Sequence, residues 1–181
     1  MDKYKRGLVW LRRDYRLVDH AALKEALNQC EQILVAFVFD THILNKLKKE
    51  DQRISFIIDS LRCVDQELSQ YGSRLIIRHG APEEKIPEII TTYTVDALFF
   101  NRDYEPYAKS RDKKVQEAIP IPVYTYKDSV IFEKDEVLTK DGGHYKVFTP
   151  YKNQWLSKLN QEVMKPKSSS NHHFLPVSED S

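Results

Sequence analysis

Glycine is scarce in this chain of 181 residues, and it never forms a cluster that could hold phosphate. The five glycines are Gly7, Gly72, Gly80, Gly142 and Gly143. Neither GxGxxG nor GxxxxGK[ST] occurs, so the common loops that bring backbone N–H groups to phosphate are excluded. GxSxG and HExxH are missing too, which excludes the nucleophile elbow of α/β-hydrolases and the zinc-protease helix.

Cysteine pairs, long apolar runs and an excess of one charge are also lacking. Cys30 and Cys63 lie far apart, as expected for two thiols in a reducing cytoplasm. No apolar run approaches the roughly 20 residues of a membrane span, and no signal-peptide core is visible. The 28 Lys and Arg against 27 Asp and Glu give a net charge of +1, which argues against a domain that neutralises DNA phosphates by itself. We therefore expect a cytoplasmic protein without a membrane partner.

Five apolar runs alternate with helical patterns over the first 126 residues. The runs are residues 8–11, 33–39, 74–80, 97–101 and 123–126. Strict alternation of strands and helices indicates parallel strands joined by right-handed crossovers. The prediction is a Rossmann-like α/β domain, with a five-stranded parallel sheet in the order 3-2-1-4-5 and helices on both faces.

The pattern changes after residue 127. Residues 137–148 predict a hairpin with "DGG" as its turn, followed by a helix that Thr149 caps and that buries Trp155, Leu156 and Leu159. Residues 166–181 have the composition of a linker, so the expected division is a domain over 1–165 and a loose or extended tail. The tail contains His172 and His173 but no third ligand, and no metal site is predicted.

Charged residues follow three strands at the end where ligands bind to open parallel sheets. They are Arg12, Arg13 and Asp14 after the first strand, Asp40 after the second, and "NRDYEPY" (101–107) after the fourth. One interpretation is a pocket mouth lined with charge. The other is a set of ion pairs, from Arg12, Arg13 and Asp14 to Asp103, Glu105 and Asp112, that closes the top of the sheet. The spacing favours neither.

Three separate segments resemble one known family. "LVWLRRDYRLVDHAAL" (8–23) is similar to the opening motif of DNA photolyases and cryptochromes. "FFNRDYEPYAKSRDKKV" (99–115) resembles the loop and helix after their fourth strand, and "YKVFTPYKNQWL" (145–156) resembles the segment that closes their N-terminal domain. The resemblance covers residues 6 to about 160.

This resemblance implies the light-harvesting antenna domain of a deoxyribodipyrimidine photolyase. In that family the domain binds a pigment that passes excitation to reduced FAD in a helical C-terminal domain, which contacts DNA and splits pyrimidine dimers. That FAD-binding domain is absent from this chain, so we expect no catalytic residue here, no tight FAD binding and no repair by the chain alone. Whether the chain counts as an enzyme stays open. The alternatives are a cryptochrome-type signalling or interaction module, or a remnant domain without pigment.

The resemblance also bears on the pigment. Family members that bind a reduced folate carry Asn-Glu shortly after "YE", where this chain has Tyr107 and Ala108. A hydroxy-deazaflavin or a flavin is therefore expected in preference to methenyltetrahydrofolate.

The expected contact residues lie at the strand ends and at the start of the long helix. They are Arg12, Phe39, Asp40, Arg53, Asn101, Asp103 and Glu105. Phe39 should form a wall with Leu11 and Phe100, because a flat tricyclic ring needs apolar faces. Asp103 should accept a hydrogen bond from a ring N–H, and Arg12 should pair either with a pigment oxygen or with Asp103. Arg53 is expected either at the outer edge of the pigment or as a solvated surface charge.

Overall fold

The computed structural model describes residues 4–48, 50–167 and 172–177. Its strands are β1 Tyr4–Leu11, β2 Cys30–Asp40, β3 Ile76–Gly80, β4 Ala97–Asn101 and β5 Val123–Tyr126. Its α-helices are α1 Ala21–Gln29, α2 Thr41–Leu44, α3 Gln52–Ser69, α4 Pro82–Tyr93, α5 Pro106–Glu117 and α6 Phe148–Lys158. The alternation read from the sequence is thus confirmed through β5.

The five strands form one sheet in the order β3-β2-β1-β4-β5, and every pairing is parallel. This confirms the predicted fold class. Parallel strands place all their carboxyl ends at one edge, so Leu11, Asp40, Gly80, Asn101 and Tyr126 end at the same side of the molecule. Any site built from strand ends lies there.

The sheet is covered on both faces, which is why β1 and β2 contain long uninterrupted apolar runs. One face packs against α1 and α3, and its core contains residues such as Leu23, Val35 and Leu61. The other face packs against α4 and α5 through residues such as Ile86 and Val115. Buried strands of this kind read as continuous hydrophobic segments, so the sequence located them well.

The predicted hairpin over residues 137–148 is wrong. A turn does form, with Gly142 at φ 78° and a hydrogen bond of 2.8 Å from the Thr139 N–H to the Gly143 carbonyl. The residues on either side are not paired as strands. They are mostly exposed, with Val137 buried, so the segment buries little apolar surface, and an isolated two-stranded ribbon is marginal in water.

Helix α6 forms where it was expected, but it begins at Phe148, one residue before the predicted cap, Thr149. None of its residues is fully buried, and Leu156, expected in the core, is 52% exposed. Trp155 is half-buried against Phe132, with ring centroids 5.4 Å apart. The helix is therefore attached at the surface of the α/β domain and is not part of its core.

Residues 172–177 of the predicted tail are extended and lie against the sheet. Ile33 donates its N–H to the His173 carbonyl, and its own carbonyl accepts the Leu175 N–H at 2.8 Å. Phe174 is buried in the core between these bonds. Residues 168–171 and 178–181 of the predicted tail lie outside the described residues, and the division between domain and tail stays a prediction.

No helix within the described ranges is both long and apolar enough to cross a membrane.

Candidate functional site

A cavity of about 250 Å³ opens at the carboxyl edge of the sheet. We call it the ring cavity. It lies beyond β1 and β2, between the segment from α2 to α3 and the start of α5. Its lining residues are Trp10, Arg12, Arg13, Tyr15, Phe37, Val38, Phe39, Asp40, Ile43, Leu44, Leu47, Arg53, Ile57, Pro82, Asp103, Glu105, Tyr107, Ala108 and Arg111.

The walls of the ring cavity are aromatic and aliphatic. Phe37 and Phe39 meet edge to face, with centroids 5.0 Å apart, and Tyr15 packs on Phe37 at 5.7 Å. Such contacts hold the rings at fixed angles. Phe39 lines the cavity, whereas Leu11 and Phe100 are buried in the two cores and do not line it. Trp10 of β1 and Phe37 and Val38 of β2 line the cavity in their place.

Asp40 joins three elements at one side of the ring cavity. Its carboxylate caps α2 by accepting the His42 N–H at 2.9 Å, and it accepts the Tyr107 hydroxyl at 2.7 Å. Burial and the neighbouring Asp40 carboxylate raise the pKa of Tyr107 well above its ordinary value. The hydroxyl therefore stays protonated and donating, and it ties the start of α5 to the end of β2.

Arg12 is held by Asp112 of α5 and not by Asp103. Its Nη1 lies 3.0 Å from both carboxylate oxygens of Asp112, which also accepts from Arg111. The guanidinium stacks on Trp10 and Phe100 at 4.8 and 4.4 Å from the ring centroids. Burial lowers the pKa of Arg12. Within the described residues, its buried Nε has no hydrogen-bond partner.

Asn101 belongs to a second set of buried contacts, and it does not line the ring cavity. Its amide donates to Asp14 at 2.7 Å, and its carbonyl accepts the Ala22 N–H at 3.0 Å. His20 donates through Nε2 to Asp14 at 2.9 Å, while its Nδ1 accepts the Leu23 N–H and so caps α1. Asn101 therefore fixes α1 against β4.

The pKa of Asp14 falls well below its ordinary value. Burial acts to raise it, but hydrogen bonding and charge from His20, the Arg12 N–H and the Arg12 charge together outweigh the burial. The two sets of contacts are joined by the Arg12 N–H, which donates to Asp14 at 2.8 Å. We call them together the buried polar cluster: Arg12, Asp14, His20, Asn101, Arg111 and Asp112, each at most 8% exposed.

The remaining predicted contacts lie at the rim of the ring cavity. Asp103 is approached by Nε of Arg13 at 3.7 Å and accepts the Glu105 N–H at 3.3 Å. Arg53 lines the outer side but is paired with Asp51 at 2.6 Å in an exposed position. Six of the seven predicted residues thus converge on this cavity, and Asn101 is the exception.

A second cavity, of about 240 Å³, adjoins the first. It lies between the carboxyl ends of β1 and β4, where the strand order reverses, and we call it the switch-point crevice. Its lining residues are Arg12, Arg13, Asp14, Arg16, Asn101, Arg102, Asp103, Tyr104, Glu105, Asp128 and Ser129. Both interpretations of the charged strand ends therefore hold in part, since ion pairs form and cavities remain beside them.

Sequence reasoning missed the apolar side chains that follow β2. Ile43, Leu44 and Leu47 cover the outer part of the ring cavity, and their spacing along "THILNKL" (41–47) was the available signal. The site has the chemistry to hold a flat ring with polar edges. Among the described residues, no group of three or more His, Cys, Asp or Glu side chains is placed to hold a metal.

Comparison with known proteins shows which family the chain resembles. The family model for DNA photolyase matches residues 7–168. A deoxyribodipyrimidine photo-lyase from Synechococcus sp. is 31% identical over 151 residues, which are 82% of this chain and 31% of that protein. The chain thus spans about a third of that relative's length.

Two solved structures are similar in fold. The photolyase from Sulfolobus tokodaii, which contains two FAD molecules, superposes with a TM-score of 0.69 at 30% identity, covering 86% of this chain and 35% of that one. A class III photolyase from Agrobacterium tumefaciens gives 0.76 at 24% identity, covering 99% and 38%, and supports the fold alone. With the family model matched along most of its length, the chain belongs to the DNA photolyase family.

Proposed function

We propose that this chain is the pigment-binding, light-harvesting domain of a deoxyribodipyrimidine photolyase, and that the ring cavity holds the pigment. The observation that carries the proposal is an aromatic cavity at the carboxyl edge of the sheet with a few charged groups at its rim. A flat pigment needs two apolar faces and polar partners for its edges. Phe37, Phe39 and Ile57 supply the first requirement, and Asp103 and Arg13 the second.

The cavity argues against a remnant domain closed by ion pairs. The buried pair of Arg12 with Asp112 lies beside the cavity, with Arg12 in its wall, and the pair at the rim, Arg13 with Asp103, is long at 3.7 Å. A pair at that distance is easily displaced by a ligand that offers better geometry.

The proposed pigment is a hydroxy-deazaflavin or a flavin. Tyr107 and Ala108 both line the ring cavity, where the resemblance associates folate binding with an Asn-Glu pair. Ala108 has no polar side-chain atom, and the Tyr107 hydroxyl already donates to Asp40, so neither position offers the polar partners of an Asn-Glu pair. The Sulfolobus photolyase, a similar protein with two FAD molecules and the novel light-harvesting cofactor that they imply, supports a tricyclic ligand.

Titration of the chain with a hydroxy-deazaflavin, riboflavin and methenyltetrahydrofolate, followed by fluorescence, tests the proposal. We expect binding of one molecule per chain for at least one tricyclic pigment, and weaker binding of the folate. Leu47→Trp, which fills the outer part of the cavity, should abolish it. Ile77→Trp serves as the control, because Ile77 is exposed on β3 and lines a different surface. Tighter binding of the folate, or no pigment binding at all, would contradict the proposal.

Repair itself is proposed to reside in a helical FAD-binding domain that this domain serves. The relative from Synechococcus sp. is about three times as long as the matched segment, and α6 presents Phe148 and Leu156 to solvent, 72% and 52% exposed. An uncovered apolar helix face of this kind fits packing against another domain. The isolated chain should neither bind FAD tightly as the repair cofactor nor split pyrimidine dimers. Illuminated repair of a dimer-containing oligonucleotide by the chain alone would overturn this assignment.

A further inference from the structure

A third cavity, of about 340 Å³, lies along the outer edge of β3. Within the described residues, β3 pairs with β2 on one side only, so this edge of the sheet has no neighbouring strand. We call the cavity the edge groove. Phe39 lines both this groove and the ring cavity. The lining residues of the edge groove are Phe39, Ile58, Leu61, Arg62, Asp65, Arg74, Leu75, Ile76, Ile77, Arg78 and Val177.

An extended segment already pairs with β2 just ahead of β3. Ile33 of β2 pairs with β1 on one side and, in parallel, with Phe174 on the other. Phe174 therefore lies in the row that β3 continues, beginning with Ile76. Val177, three residues further on, lines the edge groove. This side of the sheet thus accepts main-chain pairing from an extended segment up to the point where the groove begins.

The backbone of β3 faces the edge groove at Ile77. Nη1 of Arg78 donates to the Ile77 carbonyl at 3.0 Å, and it reaches that carbonyl around the open edge because β2 occupies the other side of the strand. Ile77 is 43% exposed and level with Phe37, so its side chain faces α3, whereas the next side chain, Arg78, faces the opposite side. An exposed edge of this kind can pair with an added strand.

The charge of the edge groove is positive, since three arginines and one carboxylate line it. The carboxylate is Asp65, and it is used by the protein itself. It accepts from Nε and Nη2 of Arg74 at 2.9 and 2.7 Å, and from the Leu75 N–H at 2.8 Å. These bonds attach the start of β3 to α3, and they leave little of the Asp65 charge to offset the other two arginines.

The other two arginines are only weakly held. The Arg62 side chain is 72% exposed, and its partner Asp59 is 71% exposed. Pairs that are exposed to this degree contribute little and exchange easily for another carboxylate. Arg78 is half-buried and makes no ion pair within the described part of the chain. A partner that supplies carboxylates therefore complements this groove.

Two other kinds of occupant fit the edge groove less well. A second copy of the chain, paired through β3, would bring the same arginines face to face. Single-stranded nucleic acid binds through exposed aromatic rings as well as positive charge, but Phe39 of the lining is half-buried and packs on Phe37. The apolar surface of Ile58, Leu61 and Ile77 instead suits aliphatic side chains.

We propose that the edge groove is a protein-docking site that takes an extended segment of a partner protein, in which acidic and apolar residues alternate. The segment adds as a strand to the outer edge of β3. Successive side chains of a strand face opposite sides, so its apolar residues pack on Ile58 and Ile77, and its carboxylates pair with Arg78. The proposal requires no pigment, and it stands or falls separately from the assignment of the ring cavity.

Fluorescence anisotropy of the chain with a labelled peptide of alternating valine and glutamate residues tests this proposal. We expect one peptide to bind per chain, more weakly as salt is added, and no binding of the same peptide with lysine in place of glutamate. Arg78→Glu should weaken binding by about tenfold or more, because it sets like charges against each other. Lys140→Glu is the matched control, since it reverses an exposed charge that does not line the groove.

Ile77→Pro tests whether the peptide adds as a strand. The N–H and carbonyl of one strand residue point to the same side, so this substitution removes the outward N–H of β3 and spares its pairing with β2. We expect it to abolish peptide binding, with the melting temperature as the check on folding. If this variant does not fold, Arg78→Glu still decides the proposal, because Arg78 contributes a side chain at the surface and no part of the core.

Several results would overturn the proposal. Equal binding of the two peptides, or an affinity that Arg78→Glu leaves unchanged, would show that the groove does not select acidic segments. Tighter binding of oligothymidylate would assign it to nucleic acid, and a dimer that sediments as a monomer in Ile77→Pro would assign it to a second copy. Peptide binding only after Glu179→Gln and Asp180→Asn, at positions outside the described residues, would assign it to the chain's own acidic end.

Discussion

The buried polar cluster and the ring cavity lie side by side at the same edge of the sheet, yet they use charge in opposite ways. In the cluster, two arginines face two aspartates, and nearly every donor and acceptor is paired within the protein. At the rim of the cavity, Asp103 and Arg13 meet at 3.7 Å, and the Glu105 carboxylate makes no hydrogen bond or ion pair among the described residues. Charged groups that are fully paired hold a fold together, and those left half-paired are available to a ligand.

The Arg12 side chain connects the two regions. One side of it pairs with Asp112 and stacks on Trp10, while the other contributes to the walls of both cavities. The cluster therefore sets the position of a cavity wall. A substitution in the cluster should also change the ring cavity, whereas a substitution at the rim should leave the cluster unchanged.

The largest effect is expected from Asp112→Ala in the buried polar cluster. Removing this carboxylate leaves Arg12 and Arg111 buried without their shared partner, which should lower the free energy of unfolding by about 3–5 kcal/mol. Thermal and urea denaturation measure the loss. Asp59→Ala is the control, since the Asp59–Arg62 pair is exposed and should contribute less than about 1 kcal/mol. Equal losses in the two variants would remove the distinction between the regions.

Asp103→Ala at the rim should have the opposite effect, on pigment binding and not on folding stability. We expect pigment affinity to fall by about 1.5–3 kcal/mol, the usual contribution of a hydrogen bond to a charged group, with little change in stability. Its partner Arg13 is exposed and remains solvated when Asp103 is removed. Pigment titration and melting temperature on the same variant test this. Unchanged affinity with a large loss of stability would assign Asp103 to the structural side of the comparison.

Acid should destabilise the cluster through Asp14. The folded state lowers the pKa of Asp14, so the unfolded state binds its proton first as pH falls. The stabilisation is fully present above about pH 5 and is lost progressively below about pH 4, by an amount on the order of 2 kcal/mol. Urea unfolding between pH 6 and pH 2.5 should therefore show a shallower acid decline in Asp14→Asn than in the unmodified chain. An equal loss of stability with falling pH in both proteins would show that Asp14 is not responsible for it.

Tyr107→Phe should produce the smallest change, at the junction of β2 and α5. It removes the hydroxyl that donates to the Asp40 carboxylate, and we expect about 1.5 kcal/mol of lost stability, the lower end for a hydrogen bond to a charged group, because Asp40 still accepts the His42 N–H. Hydrogen exchange should quicken mainly in residues 41–47, which cover the ring cavity. Tyr151→Phe, on the exposed side of α6, is the control. A global loss as large as that of Asp112→Ala would show that this bond belongs with the cluster.

The strand order and the edge that carries the site were predictable from the sequence. Buried parallel strands read as apolar runs, and the alternation with helices leaves few topologies. The same patterning failed at residues 137–148, because a turn sequence fixes the direction of the chain but cannot supply the apolar partner that a hairpin needs. The patterning also gave no sign that residues 172–177 pack against the sheet, where Phe174 is buried beside Ile33.

The sequence by itself determined that charged residues gather at the carboxyl ends of β1, β2 and β4. Only the tertiary structure decided which charges pair with which. The Arg12 guanidinium could pair equally well with Asp103 or Asp112, but α5 places Asp112 3.0 Å from it. In the same way, Asn101 donates to Asp14 and does not line the ring cavity. Pairing depends on distances across helices and strands that are remote in sequence. Those distances are set by packing, and no local pattern encodes them.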